Sequence, residues 1–332
     1  MRAAYYEKLG PAREVLKFGD LPKPEPEPGE VLVRVHVSGV NPSDVKMRLG
    51  TSSAASDYPR IIPHSDGAGV IEAVGAGISQ SRVGERVWLW NARWLRAFGT
   101  AAEYVALPEA QAVPLPSNVD FEAGACLGIP ALTAWQAIET DGGVGPMPDG
   151  HQWVLVQGGA GSVGHYAVQM AKLKGARVIA TVSSEEKAAR AEAAGADAVL
   201  NYKTEDLAAG VKALTGGHGC DRVIEVDFAA NAAKLPALLA DYGLVAVYGS
   251  GAREVPVNFG SSILGNIGYR FFIVYNQPAE LRRRAIAELD QWLRAGRLLH
   301  SVAARFPLRD IATAHEAVES GRMNGHVVVT ID

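Results

Sequence analysis

Val31, Val33, Val35 and Val37 alternate with Leu32, Arg34 and His36, which is the two-residue period of a strand. A proline-rich entry, Pro22 to Gly29, precedes them and is expected to run extended on the surface. Short strand-like runs separated by Gly and Pro continue past Gly84 to Trp88 and predict a compact, partly open β-barrel. From about Phe121 the pattern changes. Apolar runs near positions 153, 177, 198, 222 and 243 are separated by Ala-rich stretches of helical spacing, such as Glu185 to Ala194. Strands alternating with helices predict an α/β architecture with a doubly wound parallel sheet. After Val274 the chain reads as helical through Ala279 to Ala295. It ends in a short strand-like run, His326 to Thr330, expected to rejoin the first domain.

Composition adds bounds to this picture. A chain of 332 residues is long for one average core and suits two domains, and 48% apolar against 20% charged residues gives ample material to bury. The net charge of −4, with no basic block, gives nucleic acid no electrostatic footing at the level of the whole chain. No apolar run reaches the length of a membrane helix, and Met1 to Tyr6 lacks the apolar centre of a signal peptide, so a cytoplasmic protein is expected. Cys126 and Cys220 are the only cysteines. They supply neither a disulfide framework nor a four-cysteine zinc site, and read as small buried hydrophobes.

The chemistry concentrates between 153 and 187. Trp153-Val154-Leu155-Val156 runs into Gly159-Ala160-Gly161-Ser162-Val163-Gly164. Val163, Tyr166, Ala167, Met170 and Ala171 then repeat at helical spacing, and Arg177 to Thr181 reads as the next strand. In that context Gly159 permits a tight turn, Gly161 lets the backbone approach a pyrophosphate, and Gly164 allows close helix–strand packing. The free N–H groups of the helix face the anion. A cofactor with a free ribose 2′-hydroxyl is usually met by Asp or Glu about 20 residues beyond such a turn. Here Thr181-Val182-Ser183-Ser184 stands in that place, Lys187 follows within a helical turn, and Tyr202 ends the next strand. A hydroxyl, an ammonium and a phenol favour a 2′-phosphate, hence NADPH. Ser183-Ser184-Glu185-Glu186 also reads as a helix-capping box, with Lys187 as a solvated helix residue.

Five segments together resemble the medium-chain dehydrogenase/reductase superfamily and, within it, the zinc-free, zeta-crystallin-like quinone oxidoreductases. They are Gly39 to Asp44, His64 to Val70, Gly99 to Tyr104, Gly128 to Trp135 and the glycine turn, spread over nearly the whole chain. The resemblance implies a GroES-like β-barrel catalytic domain made of residues 1–124 and 271–332, a Rossmann NADP-binding domain at 125–270, and an active site in the cleft. Zinc enzymes of the superfamily place a Cys where this chain has Asn41, a His where it has Ser65, and a third ligand where it has Ile129. No metal ligand is therefore assigned, and His64, which takes the place of a family glycine, is read as a loop or cleft-lining residue.

Without a Lewis acid the acceptor must itself absorb the charge of the arriving hydride, as a quinone or conjugated enone does. The implied activity is zinc-independent hydride transfer from NADPH to a quinone. The alternatives are an alkenal or enone reductase, and a non-enzymatic NADPH-binding structural or RNA-binding protein. By the same resemblance Asn41 and Thr133 flank the nicotinamide, and Ser162 and Val163 cradle the pyrophosphate. Ser183, Lys187 and Tyr202 meet the 2′-phosphate, with Arg322 as a further candidate. Tyr248, Gly249, Ser250, Phe272, Val274 and Tyr275 close over the nicotinamide side. Asn41, Lys46, Thr133 and Tyr275 are the candidate catalytic residues.

Relatives often carry Tyr where this chain has Lys46, and Lys where it has His326. An ammonium at Lys46 suits a polar or acidic acceptor, and equally an ordinary surface position. Trp88 to Phe98 is longer and more aromatic than the corresponding family loop, and reads either as a lid for a planar ring or as packing. Apolar runs at Gly243 to Tyr248 and Ile267 to Tyr275 are expected to leave a sheet edge for a homodimer, with a tetramer as the other possibility.

Overall fold

A computed structural model describes residues 1–51, 58–147 and 150–331. The chain divides into two compact units, Met1–Pro130 with Ile286–Asp332, and Ala131–Ala285. The strands of the two main sheets are, in order, β1 (Glu30–Val40), β2 (Asp66–Val74), β3 (Arg86–Leu89), β4 (Tyr104–Pro108) and β5 (Ala112–Pro114). Then come β6 (Trp153–Val156), β7 (Arg177–Val182), β8 (Ala198–Asn201), β9 (Cys220–Glu225), β10 (Leu239–Val247) and β11 (Gly268–Phe271). The last two are β12 (Val302–Pro307) and β13 (His326–Thr330). The helices used below are α1 (Pro42–Leu49), α2 (Leu132–Glu139), α3 (Ser162–Leu173), α4 (Glu185–Ala193), α5 (Phe259–Leu264), α6 (Ala279–Arg294) and α7 (Ile311–Glu319).

The first unit is built on a seven-stranded sheet in the order β12-β13-β1-β2-β3-β5, with β4 also paired to β1. β1 is the spine. Its alternation is visible around Arg34, exposed between buried Val33 and Val35, whereas Val31 to Val33 are all buried, and beyond half-buried His36 the strand is buried to Val40. A register shift between Val35 and Val37 lets the strand curl, and His36 stacks on Phe121 with ring centroids 4.7 Å apart. A small residue allows the close approach of β2 to its antiparallel neighbour β1, since a Cβ on Gly69 would lie 2.0 Å from the Arg34 carbonyl oxygen. The C-terminal β13 pairs antiparallel with β1, Val328 opposite Gly39, so the tail completes the sheet that the first strands begin. Its core gathers Val31, Val33, Val35, Ile71, Val87, Leu89, Leu107, Val327 and Val329.

The second unit carries a six-stranded parallel sheet in the order β8-β7-β6-β9-β10-β11. Val154, Leu155 and Val156 of β6 are wholly buried, as expected for a strand covered by helices on both faces. The run from Ile267 to Tyr275 is not one strand: β11 ends at Phe271, and Val274–Asn276 forms a 3-10 turn. The boundary between units at 285/286 falls inside α6.

Candidate functional site

The order of the parallel sheet reverses between β6 and β9, and open α/β sheets bind ligands outside the C-terminal strand ends at such a point. β6 leads there into Gln157 and Gly158, whose φ of 68° is left-handed. β7 staples this turn from the side. The Thr181 hydroxyl donates to Gln157 Oε1 at 2.7 Å and accepts from Gly158 N at 3.0 Å, while Gly159 N donates to the Thr181 carbonyl at 3.0 Å. A Cβ on Gly159 would lie 2.7 Å from Ala180 Cβ, and one on Gly164 would lie 2.2 Å from the Gly158 carbonyl oxygen. Gly161 has more room, and as the residue preceding α3 it offers no side chain to cap the helix. The start of α3 is thus left without a side-chain cap, and such a helix N-terminus suits a pyrophosphate.

At the end of β7 the structure brings Ser183 and Lys187 together, with Lys187 Nζ donating to Ser183 Oγ at 3.1 Å. Ser184 is the N-cap of α4, its hydroxyl accepting from Lys187 N at 3.4 Å. The N-cap is thus Ser184, one residue beyond the start of the expected box, and the Lys187 side chain turns back to Ser183. Tyr202 follows β8, where Asn201 pairs with Val182, and its N–H donates to the Val182 carbonyl at 3.1 Å. Its ring is 51% exposed, beside the same sheet edge. The site contains a hydroxyl, an ammonium and a phenol, with no carboxylate at the strand end.

The remaining predicted residues of this unit lie on the neighbouring strand ends and on α2. A Cβ on Gly249 would lie 2.2 Å from the Val226 carbonyl oxygen, so the turns after β9 and β10 touch backbone to backbone. Tyr248 and Phe272 rings stand 6.4 Å apart, tilted at 45°, and Ser250 Oγ donates to the Ala252 carbonyl at 2.7 Å. Val274 and Tyr275 are buried in the 3-10 turn, and Thr133 is buried on α2.

In the first unit, Asn41 precedes α1 and is buried. Its N–H donates to Asp44 Oδ2 at 2.8 Å and its Nδ2 donates to Asp66 Oδ2 at 2.8 Å. The same Asp66 oxygen accepts from Ile129 N at 2.9 Å, so one carboxylate orients the Asn41 amide and the 126–130 segment together. Burial raises the Asp44 carboxyl to about 7, against the lowering effect of the Asn41 N–H and of Arg93. Lys46 is exposed on α1. Arg322 is exposed on the turn after α7, its N–H donating to Ser320 Oγ at 3.2 Å. Trp88 belongs to β3 and is core; the exposed apolar side chains of that stretch are Leu95 and Phe98.

His64 lies in the loop ahead of β2, one of the two places expected for it. It is not a lining residue but is wholly buried, with a left-handed φ of 75° that costs a side-chain-bearing residue about 1–2 kcal/mol. Its Nδ1 meets Ser38 Oγ at 2.8 Å and its Nε2 meets His315 Nε2 at 3.0 Å. Burial pushes His64 down to about 3 and His326 to about 4, and holds His315 well below its ordinary value, so all are neutral near pH 7. Sequence reasoning missed this cluster, and it missed the roles of Asp66, Gly158 and Thr181. The available signals were an Asp ahead of an apolar strand and a His in a place where relatives have Gly.

Residues 27–117 match the family described as alcohol dehydrogenase GroES-like domain, and residues 162–291 match the family described as zinc-binding dehydrogenase. The human quinone oxidoreductase is 33% identical over 328 residues, covering 97% of this chain and 94% of that protein. The chain belongs to the medium-chain dehydrogenase/reductase superfamily. Among solved structures of the superfamily, one titled as an NAD-dependent alcohol dehydrogenase superposes with a TM-score of 0.91 at 33% identity, covering all of both chains. The Escherichia coli quinone oxidoreductase complexed with NADPH superposes with a TM-score of 0.87 at 27% identity, covering 99% of this chain and 100% of that one. The superfamily uses a nicotinamide cofactor, and the protein is an NAD(P)-dependent oxidoreductase.

The zinc named in one of the matched families does not suit this donor set. The Asn41 amide is turned to Asp66 by its nitrogen. Cys126 Sγ donates to the Glu122 carbonyl at 3.2 Å, and burial raises its thiol far above the usual range. Both ring nitrogens of His64 are engaged, and among the described residues no group of three His, Cys, Asp or Glu side chains could hold a metal ion. Zinc needs three or four such ligands in tetrahedral array.

Proposed function

We propose that the protein is a zinc-independent, NADPH-dependent quinone oxidoreductase. The observation that carries the cofactor preference is the Ser183–Lys187 pair, 3.1 Å apart at a strand end with no carboxylate. An ammonium there attracts a 2′-phosphate, whereas the acidic residue that selects NAD would repel it. The human relative named quinone oxidoreductase and the NADPH complex of the Escherichia coli protein support the same reading.

NADPH, when bound, supplies a hydride from C4 of its nicotinamide. The chain's part is to bind and orient. The turn from Gly159 to Gly164 and the start of α3 hold the pyrophosphate, and Ser183, Lys187 and Tyr202 hold the 2′-phosphate, with Arg322 a further cation for it. Asn41, Thr133 and the Tyr248–Ser250 and Phe272–Tyr275 stretches serve the nicotinamide side, and Lys46 serves a polar acceptor. A quinone spreads the incoming charge over its own π-system, so positioning supplies most of the catalysis. An enone offers the same delocalisation and is the second acceptor class.

A homodimer is part of this proposal. β11 is the edge strand of its sheet, and beside it Tyr242 is 80%, Phe259 73% and Leu264 83% exposed, an apolar edge that a two-fold partner covers. A cytoplasmic setting accords with two buried free cysteines.

The test is spectrophotometric oxidation of NADPH and NADH against a panel of quinones and enals. Preferential oxidation of NADPH by quinones is expected. Turnover with enals alone moves the protein to the second acceptor class, and no oxidation with any acceptor, despite bound NADPH, overturns an enzymatic role.

A further inference from the structure

A continuous chain of buried hydrogen bonds runs from Arg48 to the strand that carries Asp66. Arg48 Nε donates to His315 Nδ1 at 3.4 Å, and His315 Nε2 and His64 Nε2 are 3.0 Å apart. His64 Nδ1 and Ser38 Oγ are 2.8 Å apart, Ser38 Oγ and Thr100 Oγ1 2.7 Å, and Thr100 Oγ1 donates to the Asp66 carbonyl at 2.5 Å. Arg48 is itself anchored through the Glu319 carboxylate and the Gly10 carbonyl. All side chains from Arg48 to Thr100 are buried.

Both ends dictate the direction. A carbonyl can only accept, so the Thr100 proton points to Asp66, Ser38 donates to Thr100, and His64 carries its proton on Nδ1. A guanidinium can only donate, so His315 Nδ1 is bare and its proton sits on Nε2, facing the bare His64 Nε2. The two derivations meet at the histidine pair and agree. Such a chain has no proton-releasing end and no proton-accepting one, so it clamps rather than conducts. What it clamps is the Asp66 peptide, and the Asp66 carboxylate holds Asn41 Nδ2 and Ile129 N. A residue that accepts a left-handed backbone, full burial and two hydrogen bonds is held there for a purpose.

We propose that His64 and His315 are positioning residues for hydride transfer. They fix the seat of Asp66 from α1 and α7, and through it the orientation of the Asn41 amide. The proposal rests on the reductase function proposed above.

Two measurements separate it from that function. The first needs no turnover: nitrogen-15 NMR of the histidines at pH 7 is expected to show neutral rings, His64 protonated on Nδ1 and His315 on Nε2. The opposite tautomers, or a charged ring, overturn the proposal while leaving the reductase function intact. The second is kinetic, with rates expressed per NADPH-binding site so that unfolded material does not count. His315→Leu is expected to lower kcat about tenfold with the NADPH KM unchanged, and His315→Gln, whose amide can still donate to His64, to recover most of it. In an Asn41→Ala background His315→Leu is expected to cost nothing further in kcat. Additive losses in that background, or equal losses for Leu and Gln, show a role in stability only and overturn the proposal. If the wild type fails to oxidise NADPH with any acceptor, the reductase function fails, and the tautomers still decide the clamp.

Discussion

Asn41 Nδ2 donates to Asp66 Oδ2 at 2.8 Å, with both side chains buried. An amide nitrogen and a carboxylate thus satisfy one another away from water. Asp66→Leu removes the oxygen on which two buried donors, Asn41 Nδ2 and Ile129 N, converge. Each buried group left unpaired costs about 1–3 kcal/mol. Thermal unfolding of Asp66→Leu should therefore show a Tm several degrees lower, and an unchanged Tm would show that the pair carries no weight.

Lys187 and Ser183 predict the cofactor ratio. A charge-assisted bond to phosphate is worth about 1.5–3 kcal/mol, so Lys187→Ala should raise the NADPH Kd by roughly 10- to 100-fold while moving the NADH Kd little. Calorimetric titration with both nucleotides checks this, and equal weakening of the two would place Lys187 outside the phosphate site.

The glycine turn predicts a steric outcome. In Gly164→Ala the new Cβ lies 2.2 Å from the Gly158 carbonyl oxygen, a backbone atom that can yield only by opening the turn. A loss of about 1–3 kcal/mol and a weaker affinity for NADPH are expected together, measured by denaturant unfolding and calorimetry. Retained affinity would mean that the turn tolerates opening and that the close approach is not needed.

The buried histidines set a direction with pH. His64, His315 and His326 titrate below their ordinary 6.5 when folded, to about 3 for His64 and about 4 for His326. The unfolded chain binds their protons first, so their contribution is present above 6.5 and is lost as pH falls toward the folded values. Asp44, raised from 3.8 to about 7, acts oppositely: its contribution is complete below 3.8 and is lost as pH rises through about 7. The histidines outnumber it, so the unfolding free energy should fall between pH 7 and pH 5, by about 2 kcal/mol for each histidine, and Tm should fall with it. His326→Gln should flatten that slope in a pH series of melts, and an identical slope would refute its assignment.

The exposed edge beside β11 predicts association. Leu264→Glu with Tyr242→Glu should convert a dimer to a monomer in light scattering without changing the circular dichroism. A wild type that is already monomeric would remove the homodimer from the proposal.

Local periodicity made much of this legible. The alternation in β1, the apolar run of β6 and the glycine turn are properties of consecutive residues, and a strand buried on both faces differs in pattern from one exposed on alternate sides. Ser183 and Lys187 could be named because four residues on a helix start place them on one side. The burial of His64 was not legible because its partners, His315 and Ser38, lie on other elements. Likewise nothing local marks where the pairing of the run at 267–275 with β10 stops.

What the amino-acid order determined by itself is the alphabet of elements and the nucleotide turn, since each depends on residue type and on spacing within a few positions. What only the tertiary structure decided is which buried polar groups satisfy one another. Asp66 with Asn41, Thr181 with Gln157 and His64 with His315 are pairs separated by tens to hundreds of residues. A polar side chain removed from water must find a partner, and the partner is whatever the folded backbone delivers to it.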